Sequence, residues 1–157
     1  MQGLNIAEEG HVTLPIPPVD VNGGWVGARF NMKTYRKASI IVMFGVTAAA
    51  AEKILVKNAT AITGGTATAI PFNAYRMEAA GGDVLGAREA IAATGLVPVA
   101  ADGIFYVIDL DARELTDGYP FVEVSMEADS GTSVVACVVA VLTGGRFHHV
   151  QSETVEA

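Results

Sequence analysis

The side chains with chemistry to offer concentrate between positions 102 and 117, where Asp102, Asp109, Asp111, Glu114 and Asp117 follow one another closely. Paired carboxylates perform acid–base work or hold a hard cation, and Asp109 and Asp111, two apart at the end of a candidate strand, project to one side. The oxygen-rich loop with its glycine and closing glutamate that an EF-hand needs is missing. These carboxylates are therefore expected to be solvated strand-end and turn residues, with a weak cation site as the alternative. His148 and His149 are adjacent, so on an extended chain they face opposite ways, and His11 is remote from both. All three read as surface histidines. Cys137 is the single cysteine and sits in an apolar run, which excludes an intrachain disulfide or a multi-cysteine zinc site and predicts a buried small hydrophobe. Gly64-Gly65-Thr66 and the glycines of residues 81–86 lack the Lys-Ser/Thr of a phosphate loop and the strand-to-helix fingerprint of a dinucleotide site, so they read as turns. Ser39, Ser125, Ser130 and Ser133 lie in no nucleophile elbow. No catalytic, cofactor-binding or metal-ligating residue is assigned, and the chain is expected not to be an enzyme.

The elements that must position these residues are mostly strands. Residues 38–46 form a nearly unbroken apolar run rich in β-branched side chains, expected as a buried central strand. Residues 53–57 alternate, with Lys53, Leu55 and Lys57 on one face and Ile54 and Val56 on the other, so one face is expected to be wet. A third segment, residues 66–72, follows Gly64-Gly65, and the three read as a meander. Residues 104–110 place Ile104, Tyr106, Ile108 and Leu110 on one core face, and residues 121–127 place Val122, Val124 and Met126 inward with Glu123, Ser125 and Glu127 outward. Residues 134–142 are apolar on both faces, which predicts either a central strand between packed layers or a seam between subunits. Residues 83–95 carry an N-cap candidate, helix-spaced Val84, Ala87 and Ile91 and a closing glycine; a short helix or, given Gly86, an ordered loop is expected.

Pro15, Pro17 and Pro18 make residues 1–24 an extended, edge-like arm. Trp25, Phe30 and Tyr35 alternate with Arg29, Lys33, Arg36 and Lys37; core aromatics with solvated neighbours are expected, or a contact to an acidic partner. Residues 146–157 show no packing period and read as a tail, leaving residues 25–145 as one domain. Several strands separated by glycine-rich turns point to a mainly β fold, an antiparallel β-sandwich or jelly-roll-like barrel.

Composition narrows the function classes. The 157 residues are 51% hydrophobic and only 17% charged, with a mean hydropathy of +0.40, yet the longest apolar run is far below the roughly 18 to 20 residues of a spanning helix. No membrane span is expected, nor a signal peptide, since the first residues carry no basic region. So few charges imply that apolar surface is covered by another subunit. Ten Lys and Arg against 17 Asp and Glu give a net charge of −7, which repels phosphate backbones and argues against nucleic acid.

The ordered set of residues 38–46, 53–59, 64–72 and 104–111 resembles small virion structural proteins of tailed bacteriophages, in particular head decoration (capsid cement) proteins, over residues 38–142. The resemblance implies a β-rich, often trimeric subunit on the outer capsid surface, made in the host cytoplasm. Its partners would be the major capsid protein and copies of itself. It supplies no catalytic residues and no cofactor. Two rivals are a tail or fibre-attachment protein, and a carbohydrate- or cation-binding sandwich using Asp109, Asp111 and the aromatics Trp25 or Tyr119.

Overall fold

Proline placement decides how the chain enters the fold. The structure, a computed structural model, describes residues 5–47, 53–79, 81–127 and 133–145. A single helical turn, α1 (Ile6–Glu9), is capped by the Asn5 side chain, which accepts from the Ala7 N–H at 3.2 Å. It leads into β1 (His11–Asp20), which lies at a sheet edge and slips register between Thr13 and Ile16 and again between Ile16 and Val19, around Pro15, Pro17 and Pro18. A residue without an N–H cannot serve a ladder on both sides, so the edge is where such a strand belongs. The segment read as an arm thus pairs, from His11 to Asp20, as an edge strand. Its end is tied down by Asp20, whose carboxylate accepts from Ser133 Oγ at 2.6 Å and from the Val134 N–H at 3.1 Å.

The remaining strands are β2 (Trp25–Val26), β3 (Phe30–Asn31), β4 (Lys37–Thr47), β5 (Lys53–Ala59), β6 (Ala67–Ala69), β7 (Phe72–Met77), β8 (Glu89–Ile91), β9 (Phe105–Asp111), β10 (Phe121–Glu127) and β11 (Val134–Thr143). They form two antiparallel sheets packed as a β-sandwich. The larger runs β1-β11-β4-β9-β7-β8; the smaller runs β2-β10-β5-β6, with β3 also on β10. Between the sheets Ile40, Val42, Tyr106, Ile108, Val56, Val122, Val124 and Val138 are fully buried. Each such aliphatic or aromatic side chain contributes about 1.5–3 kcal/mol relative to exposure. The Phe44 and Tyr106 rings meet edge to face at 6.1 Å.

Two expectations need correction, and another is decided between its alternatives. The first is the meander: β4 sits in the larger sheet between β11 and β9, while β5 and β6 belong to the smaller one, and the chain returns to the larger sheet after Pro71. Of the short helix and the ordered loop expected at residues 83–95, the structure has the loop, with β8 at its end: the Gly86 N–H bonds the Arg76 carbonyl of β7 at 2.9 Å, and Glu89 to Ile91 pair with β7. Strand pairing there satisfies the backbone that a glycine-weakened helix would have satisfied less well. The second correction is the wet face of β5, because Leu55 is buried: residues 95–96 cross over it, and Leu96 and Ile54 exchange both backbone hydrogen bonds at 2.9 Å.

Candidate interaction surface

The carboxylates singled out by type lead to one end of the larger sheet. Asp109 and Asp111 point outward from β9, since their neighbours Ile108 and Leu110 are fully buried on the inner face. Asp111 caps the 3-10 turn Ala112–Glu114: its Oδ1 accepts from the Arg113 N–H at 3.0 Å, while Glu114 Oε2 accepts from the Asp111 N–H at 2.9 Å. The Arg113 guanidinium then grips Asp111 at both oxygens, at 3.1 and 3.0 Å, and these bonds hold its carboxyl well below the usual carboxylate range. Asp109 lies 3.7 Å from Arg88. Asp117 belongs to the turn closed by the Tyr119 N–H on the Thr116 carbonyl, and Asp102 stands in a turn just before β9, at the opposite end of that strand. Among the described residues no group of three or more His, Cys, Asp or Glu is placed to hold a metal ion. Trp25 lies on the smaller sheet and Asp109 on the larger, while Tyr119 borders a cleft with Ala112, the residue after Asp111. Trp25 is also 39% exposed rather than core, while Phe30 is fully buried.

Around this end, two open clefts adjoin. One of about 350 Å³ is bordered by Met32, Lys33, Tyr35, Arg36 and Asp111, and one of about 470 Å³ by Lys37, Arg88, Asp109, Asp111, Arg113 and Glu114. Lys33 Nζ sits 5.3 Å from the Phe121 ring centroid, and the His11 ring lies 5.8 Å from that of Tyr35. Burial pushes the Tyr35 phenol up. His148, His149 and Ser130 lie outside the described residues.

Away from the row of Ser39, Asp109 and Asn73, the outward face of the larger sheet is apolar, and no described strand covers that part. Register places Val139, Ile41, Val107 and Tyr75 in one row across β11, β4, β9 and β7, and Cys137, Met43 and Phe105 in the next. On β1, Val12 and Leu14 stand beside them, 53% and 49% exposed; Met43 and Val135 are 39% and 45% exposed. On the outward face of β11, Val135, Cys137 and Val139 are exposed or half-buried, while Val141, beside Gly10, is buried. Cys137, expected in the core, is half-buried on the outward face, and the burial it does have pushes its thiol up. Of the remaining serines, Ser39 points outward from β4 beside Asp109, and Ser125 is buried on the outer side of the smaller sheet.

That smaller sheet hides a group the sequence reading placed in solvent. Glu123 points away from the core but is only 4% exposed: Arg29 Nε meets its Oε2 at 2.7 Å and Lys57 Nζ its Oε1 at 3.7 Å. The same Arg29 donates to the carbonyls of Ala61, at 2.9 Å, and Gly64, pinning the loop that joins β5 to β6. Arg29, 94 residues from Glu123, was legible only as one of several cations near aromatics. Asn58, fully buried, ties β5 to the 115–116 turn, its amide donating to the Thr68 carbonyl at 3.0 Å and accepting from Thr116 Oγ1 at 2.8 Å.

No protein-family model matches the sequence, and no curated protein matches it significantly. Among solved structures, the chain is similar to the crystal structure of the SPBc2 prophage-derived protein YomS, with a TM-score of 0.48 and 12% identity over 86% of this chain and 94% of that one. A likeness of that extent carries no argument about function.

Proposed function

We propose that the chain is a structural protein of a tailed-bacteriophage virion, a decoration or cement subunit that binds the outer surface of the capsid and stabilises the junctions between capsomers. Its partners in this reading are the major capsid protein and other copies of the chain. The observation that carries it is an apolar part of a sheet face that no described strand covers, on a two-layer scaffold, of the kind that marks an association surface. The resemblance over residues 38–142 supports the same class, and so do conspicuous carboxylates engaged in caps and ion pairs. Many copies on a lattice turn individually weak contacts into a strong collective one, which is what opposition to internal pressure requires.

The test mixes purified protein with undecorated capsids of its phage and follows sedimentation and thermal rupture. Saturable co-sedimentation with a raised rupture temperature is expected. Capsids that pellet without the protein, at unchanged rupture temperature, would overturn the capsid reading; gold-labelled protein found on tails would replace it with a tail or fibre role.

A further inference from the structure

We infer that a second copy of this chain covers the outward face of the larger sheet, the two sheets packing face to face about a two-fold axis. The inference assigns this face to the contact with other copies of the chain named above, and it is tested on the isolated protein, without capsids. Its first support is extent. Five strands at about 4.8 Å spacing and the stretch from Val135 to Val141 at about 3.4 Å per residue span roughly 19 by 20 Å. Such a face, about 400 Å² in projection, supplies about half of the roughly 800 Å² that each partner gives to a standard stable interface, the scale of a weak dimer.

The second support is charge. The chain carries −7 overall, so most approaches of one copy to another are repelled. Among the described residues, the rows through Ile41 and Met43 hold no carboxylate and no basic side chain. At one end the face is bordered by the cleft whose three cations, Lys37, Arg88 and Arg113, match three anions, Asp109, Asp111 and Glu114. With Arg113 on Asp111 and Arg88 near Asp109 within the chain, this border carries no net charge and does not repel a copy of itself. The apolar rows belong to a sheet, and a second sheet with the same rows packs on such a surface at about 10 Å. A two-fold arrangement uses the same patch on both sides and closes at two copies.

The experiment compares the full chain with Val139→Glu by sedimentation equilibrium across micromolar concentrations, with circular dichroism as the check on folding. Val139 is half-buried and outward, so a carboxylate there is tolerated by a lone subunit but not between two. A dimer is expected for the native sequence, and association weakened at least about a hundredfold for the folded variant. A second measurement does not depend on the variant: maleimide alkylation of Cys137, on the same face, should slow as the protein concentration rises through the dimer range. A monomer at all concentrations, a trimer, a folded Val139→Glu variant that still dimerises, or an alkylation rate independent of concentration would each overturn the inference.

Discussion

Removing the Arg29 guanidinium leaves the Glu123 carboxylate, its side chain 5% exposed, with only the Lys57 ammonium at 3.7 Å. A buried charge stripped of its main partner is destabilised by about 3–5 kcal/mol, and Arg29→Met should lower the urea midpoint accordingly. Adding Glu123→Leu should recover most of the loss, because the penalty resides in the abandoned carboxylate; a double variant no more stable than the single one would disprove that origin. Tyr106 gives a pH dependence of known sign. Its ring is fully buried, its hydroxyl donates to Glu78 Oε1 at 3.2 Å and accepts from the Val99 N–H at 3.1 Å, and burial first of all pushes its pKa to about 12 from 10.0. The fold holds the neutral phenol, so its contribution is complete below pH 10 and drains away as pH rises from 10.0 toward about 12, where the unfolded chain ionises and the folded one does not. Urea denaturation across that window should show falling stability, and Tyr106→Phe should flatten the slope. At this scale the sequence showed which way a side chain points and not what lies over it. Alternation put Glu123 on the outer side of β10, as it is, but the cover comes from a residue distant along the chain.

The loop that carries Gly95 shows how one connection serves two sheets. Gly95 has φ +93°, and a Cβ there would stand 2.6 Å from the Ile54 carbonyl oxygen and 2.7 Å from Leu55 Cδ2. The chain therefore comes this close to β5 only as glycine, and the Leu96–Ile54 pairing depends on that approach. Gly95→Ala should cost about 1–3 kcal/mol, more than Gly103→Ala, which shares a positive φ but meets nothing within 4 Å. Thermal denaturation of the two variants makes the comparison, and equal losses would mean that conformation alone matters. Strands whose inner residues alternate or run apolar, such as β4, β9 and β11, were legible because burial on at least one face leaves a period in the sequence. Pairing was not. β1 finds β11 at the far end of the chain, and β5 finds β10 rather than β4, choices made by contacts that no local window contains. Residues 83–95 have a helical period, yet their glycines and the open edge of β7 made strand addition the better use of the backbone.

On the scale of the whole molecule, surface charge and apolar content pull against each other, and salt separates them. Two copies each carrying −7 repel at long range, while the proposed contact is an uncharged face with a border balanced in sign. The Debye length falls from about 10 Å at 0.1 M salt to about 3 Å at 1 M, which removes the long-range repulsion and leaves apolar burial nearly untouched. Sulfate goes further, since its exclusion from protein surface strengthens effective burial. Self-association should therefore tighten as sodium chloride rises over that range, and tighten more in sodium sulfate of equal ionic strength, as read by sedimentation equilibrium. An interface held instead by ion pairs between the basic residues near Lys33 and Arg36 and an acidic region of another copy would loosen over the same range, because screening acts on the attraction itself. The direction of the salt response thus distinguishes a contact through the sheet face from one through the charged end of the sandwich.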